Sequence, residues 1–225
     1  VIKLTSTKEI GSNVNFLIYA EAGWGKTTQC KNVEAPLIIS AEGGLLALSG
    51  TDLPVFEINN REDCNEVYDW IMMSAEANKY KTICIDSLSE IAEVLLTDEK
   101  QKSKDARQAY GVMFDEMSLL IRGFRDMKKD VYFSAKMKRV VDDASGAVTF
   151  TPSVPGQMLL QALPHFFDEV FVGRYGKLED GSVYRYLQTT SDMQYTAKDR
   201  SGTLTPVAEP HLGKVIETIK SGKRL

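Results

Sequence analysis

Apolar runs of strand length alternate with stretches of helical period through the first two thirds of the chain. The runs are NFLIYA (15–20), APLIIS (35–40), LPVFEI (53–58), KTICID (81–86) and DVYFSA (130–135). Each is short and rich in Ile, Val and Phe, as strands buried on both faces are. Between them, Cys64, Val67, Tyr68, Ile71 and Ala75 fall on one helical stripe, and Met113, Met117, Leu120, Ile121, Phe124 and Met127 on another. Strands alternating with helices predict an α/β fold with a mostly parallel central sheet, onto which the stripes pack as core. The polar stretch TDEKQKSKDARQ (97–108) carries no strong apolar period and is expected to be a mobile loop or a frayed helical end.

Beyond residue 138 the pattern changes. RVVDDASGAVTFT (139–151) places two short apolar runs around a Ser-Gly turn and predicts a β-hairpin. PSVPGQ breaks the chain, QMLLQAL suits a short helix, and FDEVFVGRY (167–175) with SVYRYLQTT (182–190) predicts a second strand pair around Glu-Asp-Gly. A last helix is expected at 212–221. The expected organisation is a single domain over 1–225, with a core at 13–138 and an antiparallel β extension at 139–225.

Composition narrows the function classes. A chain of 225 residues with 43% hydrophobic content suits one compact domain. No run approaches the roughly 18 apolar residues of a membrane span, and the opening VIKLTSTKEIGS lacks the regions of a signal peptide, so a soluble cytoplasmic protein is expected. Cys30, Cys64 and Cys84 are odd in number and form no C-x-x-C pair, which argues against a disulfide framework or a zinc site. Two histidines, His165 and His211, are too few for a histidine-rich metal site, and neither is assigned a catalytic role. A net charge of -4 argues against a basic coat for duplex DNA.

The strongest chemical signal is AEAGWGKTT (20–28), which sets Gly23, Trp24, Gly25, Lys26, Thr27 and Thr28 directly after a predicted strand and before a helical stretch. A triphosphate needs several backbone N–H donors converging on its oxygens, and glycines let the chain curl that tightly. This is the pattern of a P-loop, with Ala20 in place of the usual first glycine. Lys26 is expected to neutralise the β- and γ-phosphates, Thr27 to supply a hydroxyl to Mg²⁺, and Thr28 to reach the α-phosphate. The implied ligands are ATP and Mg²⁺.

Two carboxylates extend the site. KTICIDSL ends an apolar strand in Asp86, the position of a carboxylate that holds Mg²⁺ through water, although Asp86 or Ser87 is also placed to cap the helix beginning near Leu88. LIISAEGGLLAL puts Glu42 after another strand, followed by Gly43 and Gly44; it is the candidate general base, with helix capping as the alternative. Strand ends at one edge of a parallel sheet bring such groups together. Lys136 and Lys138 flank Met137 at the end of the fifth run, where alternation points both ammonium groups the same way.

These segments resemble the RecA-like ATPases, especially phage-encoded P-loop ATPases acting in single-strand annealing or recombination. The resemblance covers most of the chain and rests on YAEAGWGKTT, SAEGGLLAL, ICIDSL and the late order SAKMKR, hairpin, PSVPGQ, FDEVF. It implies ATP hydrolysis with Glu42 activating water, Asp86 on the metal, and Ser134 or Lys136 sensing the γ-phosphate, although the glutamine of that group is absent. It also implies a homo-oligomer in the bacterial host cytoplasm, with Lys136 and Lys138 completing a neighbour's site. Single-stranded DNA is the implied partner, bound by segments 97–110 and 140–157. The first carries Lys100, Lys102, Lys104, Arg107 and Tyr110, a mix suited to phosphates and bases, whereas Asp142 and Asp143 in the second repel phosphate. Two other readings use the same P-loop: a small-molecule kinase, and a nucleotide-switched loader with little hydrolysis.

Overall fold

A computed structural model of the chain describes residues 13–223. The opening VIKLTSTKEIGS lies outside the described residues. The five apolar runs form β1 (Asn15–Ala20), β2 (Pro36–Ser40), β3 (Val55–Glu57), β4 (Thr82–Asp86) and β5 (Asp130–Val141). β6 (Val148–Pro152), β7 (Glu169–Lys177) and β8 (Val183–Gln188) follow, with the two-residue strands β9 (Lys198–Asp199) and β10 (Val207–Ala208). The helices are α1 (Arg61–Met73), α2 (Leu88–Lys102), α3 (Ala106–Arg125), α4 (Gln157–Phe166) and α5 (Leu212–Ser221). None is long and apolar enough to cross a membrane.

One sheet runs in the order β10-β8-β7-β1-β5-β4-β2-β3, with β6 on β5 and β9 on β7. From β3 to β7 all neighbours are parallel. β8, β9 and β10 add antiparallel pairings on one flank, and β6 returns antiparallel along β5. The fold is the expected α/β class, with a mostly parallel central sheet and antiparallel strands in its C-terminal part. Successive side chains of a strand point to opposite faces. Leu17 and Tyr19 therefore enter the core shared with α1 to α4. Phe16 and Ile18 enter the layer under α5.

The structure corrects several expectations. Segment 97–108 is mostly helical, because α2 runs to Lys102 and α3 starts at Ala106, capped by the Asp105 side chain on the Arg107 N–H at 2.8 Å. The helix lacked an apolar signal because this part of it packs through charge. Arg61 of α1 meets Asp98 at 2.8 Å and Glu99 at 2.6 Å, and Glu99 is buried. β3 is a half-exposed edge strand of three residues, not a strand buried on both faces. Ala75 lies beyond α1 and is exposed, so it drops out of its stripe. The fifth run and the first hairpin arm form one continuous strand, β5. β7 pairs antiparallel with β8 as expected, but it also lies parallel against β1, so the parallel sheet does not end at residue 138.

The segment after the P-loop is a six-residue 3₁₀ turn, Thr27–Asn32, instead of a longer helix. Pro36 opens β2 soon afterwards, and the residue before a proline is driven out of helical geometry. The turn is held by Gln29, whose side chain donates to the Pro210 carbonyl at 3.0 Å and accepts the Leu212 N–H at 3.0 Å. All three cysteines are buried free thiols.

Glu169, at the start of β7, is 1% exposed and faces Asp199 of β9. Burial, reinforced by Asp199, pushes its carboxyl up from 4.5 to about 8. Below the unfolded value both states hold the proton and the residue costs nothing. As pH rises towards 8 the unfolded chain ionises while the folded chain does not, so stability is lost. Glu169→Gln keeps an N–H donor for Asp199 and removes this titration. Urea unfolding should show the variant gaining on the wild type from pH 4.5 to 8, by a few kcal/mol at the upper end. Parallel curves would show that Glu169 ionises normally.

Candidate functional site

The carboxyl ends of β1, β2, β4 and β5 share one edge of the sheet, where Ala20 stands in register with Lys136 and Ser40 with Asp86. After Ala20 the chain curls through Gly23 (φ 77°) and Gly25 (φ 105°), backbone geometry that residues with a Cβ avoid. Between them Trp24 turns inward and is 1% exposed, donating its indole N–H to the Arg174 carbonyl at 3.0 Å. Its ring lies on Gly173, where a Cβ would come within 2.4 Å of it. Tyr132 of β5 donates its hydroxyl to the Lys26 carbonyl at 3.0 Å. Trp24, Tyr132 and Gln29 therefore pin the loop from beneath.

Above the loop is a cleft of about 520 Å³, lined by Gly23, Gly25, Lys26, Thr27 and Thr28 on one side and Glu42, Lys136 and Met137 on the other. The Lys26 ammonium donates to the carbonyls of Ala20 at 3.0 Å and Glu21 at 3.1 Å. Burial lowers its pKa, against the opposing pull of Glu42 and Asp86. Asp86 is 2% exposed, and both its oxygens accept hydroxyls: Thr27 Oγ1 donates to Oδ2 at 2.5 Å and Ser134 donates to Oδ1. Burial raises its pKa, and the two hydroxyl bonds work against that rise. Glu42 Oε1 accepts the Ser87 hydroxyl at 2.6 Å. The Lys136 ammonium pairs with Glu90 and lies 3.6 Å from Glu42. Glu90 is the main cause of its raised pKa.

The Thr27 hydroxyl and the Asp86 carboxylate form a pair of hard oxygen donors at the foot of the cleft. Such a pair suits Mg²⁺, which takes few protein ligands and completes its shell with water and phosphate oxygens. Among the described residues no cluster of three His, Cys, Asp or Glu groups offers a metal cage.

A family model described as an AAA domain matches residues 12–201. The chain belongs to the AAA domain family. No curated protein matches it. Among solved structures, it is similar to a KaiC-like protein from the hyperthermophilic archaeon Pyrococcus horikoshii OT3, with 14% identity, a TM-score of 0.43, and coverage of 77% of this chain and 76% of that one.

In this AAA domain the expected site residues are partly reunited. Gly23, Gly25, Lys26, Thr27, Thr28, Glu42 and Lys136 line one cleft, with Asp86 bonded to Thr27 at its base. The Trp24 side chain is not there, because the fold spends it on packing. Lys138 is not there either: it stands further along β5, opposite Thr151 of β6, while Lys136 reaches Glu42 and Glu90 at the cleft. Of the two sensor candidates, Ser134 is taken up by Asp86, and Lys136 reaches the cleft. Sequence reasoning missed Arg185 of β8, which donates to the Gly23 carbonyl at 3.2 Å. It also missed Gly173 and Tyr132, whose roles appear only once β7 and β5 flank β1. In the segments expected to meet DNA, Lys102 is paired with Asp98 at 2.7 Å, and the Lys100 ammonium lies over the Tyr110 ring, 5.2 Å from its centroid.

Gly173→Ala tests the support beneath the loop. The new Cβ must displace the Trp24 ring and would also sit 2.7 Å from the Ala20 Cβ. Overpacking of this kind costs about 1–3 kcal/mol. The variant should melt several degrees lower, with Trp emission shifted to longer wavelength as Trp24 meets water. An unchanged spectrum and melting temperature would show that the loop does not rest on this contact.

Proposed function

We propose that this AAA domain binds ATP with Mg²⁺ and hydrolyses it at the cleft between Lys26 and Glu42. The observation that carries the reading is the convergence of three elements on one sheet edge: the Gly23–Thr28 loop, the Thr27–Asp86 oxygen pair, and Glu42 oriented by Ser87. Backbone N–H groups of the loop cradle the β-phosphate, and Lys26 exchanges its carbonyl partners for phosphate oxygens. Bound Mg²⁺ would neutralise charge on the β- and γ-phosphates, held through Thr27 and Asp86. Glu42 takes a proton from the attacking water, and the Ser87 hydroxyl fixes the carboxylate that does so. Lys136, released from Glu90, stabilises charge on the transferring phosphoryl group.

The partner we assign to the ATP-bound form is single-stranded DNA, met by a self-assembled chain. Support comes from the resemblance to RecA-like ATPases and from the exposed cations Lys104 and Arg107 at the turn between α2 and α3. Anisotropy of a labelled oligonucleotide should rise with a slowly hydrolysed ATP analogue, and the affinity should fall as salt rises. The switch reading has one observation in its favour: both lysines of the cleft have partners within the protein, Lys26 in loop carbonyls and Lys136 in carboxylates. ATP binding without turnover, with or without DNA, would favour it.

Lys26→Ala should bind ATP at least about tenfold more weakly, since backbone amides alone do not offset the triphosphate charge. Glu42→Gln should bind ATP like the wild type and lose about two orders of magnitude or more in kcat. Wild-type turnover by Glu42→Gln would reduce Glu42 to a structural acceptor for Ser87.

A further inference from the structure

The P-loop is not the only cationic wall of the cleft. Arg185 reaches it from β8, two strands away from β1 on the side opposite β5. Its backbone is fixed by antiparallel pairing with Tyr175 of β7. Its side chain is exposed, and the Nη2 atom donates to the Gly23 carbonyl at 3.2 Å. The Nη1 atom lies 3.5 Å from the point where a Cβ on Gly25 would stand, and the Thr28 hydroxyl lies 3.7 Å from the same point. The guanidinium, the tightest bend of the loop and a helix-start hydroxyl thus share one corner of the cleft.

That corner is electrostatically unfinished. A guanidinium is always charged and carries five N–H donors in a planar fork. Here its one hydrogen bond among the described residues goes to a neutral carbonyl. Lys136, on the opposite wall, faces Glu42 and Glu90 instead. The two cations therefore address different parts of any bound polyphosphate. Lys136 sits with the water-activating carboxylate at the end where the bond breaks. Arg185 sits over Gly25 and Thr28, at the end that a nucleoside diphosphate and a triphosphate have in common.

We propose that Arg185 is a phosphate-binding residue of this site, gripping the α/β-phosphate segment shared by nucleoside di- and triphosphates. The proposal rests on the nucleotide reading of the cleft. The guanidinium rests on the Gly23 carbonyl; on nucleotide binding it turns to two phosphate oxygens in fork-to-fork geometry. Because this contact is equal before and during phosphoryl transfer, it contributes to affinity and not to the chemical step. The antiparallel strands beyond β7 then carry part of the nucleotide site.

The test compares wild type, Arg185→Ala, Arg185→Lys and Lys26→Ala, using fluorescent ATP and ADP analogues, steady-state turnover and melting of the ligand-free proteins. Arg185→Ala should weaken ATP and ADP alike by about tenfold, raising KM with kcat within about twofold. Arg185→Lys should recover part of the affinity, restoring the charge without the fork. Wild-type affinity in Arg185→Ala, alongside loss in Lys26→Ala, would overturn the proposal while leaving the nucleotide reading intact. A lowered melting temperature in Arg185→Ala, with kcat falling and affinity kept, would make Arg185 a strut for the loop and also overturn it. If the wild type binds neither nucleotide, the nucleotide reading fails, and this proposal with it.

Discussion

The carboxylate of Asp86 is the constraint around which the site is built. It is buried at the end of β4, where an unpartnered charge would cost several kcal/mol. Two hydroxyls compensate, one from Thr27 and one from Ser134. Those bonds join three elements that are separate in sequence: the end of β4, the turn after the phosphate loop, and β5. The next residue, Ser87, caps α2 at the Glu90 N–H and bonds Glu42 beyond β2. A single sheet edge therefore fixes the relative positions of the loop, the acidic base candidate and Lys136.

The loop itself needs little from the cleft above it to keep its shape. β1 lies between β5 and β7, and all six of its residues are buried. Trp24 and Tyr132 hold the loop from two different strands, and Gln29 holds the following turn against the start of α5. Rotamer and backbone entropy are thus lost on folding instead of on ligand binding, which is how preorganised sites save affinity.

The sheet strands were legible because parallel strands buried on both faces read as continuous apolar runs. The placement of the loop, Asp86 and Glu42 at one sheet edge was legible too, since strand ends are local in sequence. What escaped was non-local. The helical character of 97–102 rests on Arg61, which lies far upstream and supplies a charged partner where a hydrophobic period would be sought. Trp24 read as a loop residue near the ligand, but Gly173, about 150 positions later, leaves the hollow that takes its ring. Arg185 carries no motif around it; only the pairing of β8 with β7, and β7 with β1, sets it over Gly23.

Both ends of the strand order are short: β3 has three residues and β10 has two. A long, flat margin offers a row of free amides and carbonyls on which another chain can add itself as one more strand. Here the two end strands themselves offer only a few such groups. Growth of the sheet through these two end strands is thereby discouraged, and contacts between copies there fall to side chains on the faces and corners, where geometry and sequence can set their strength.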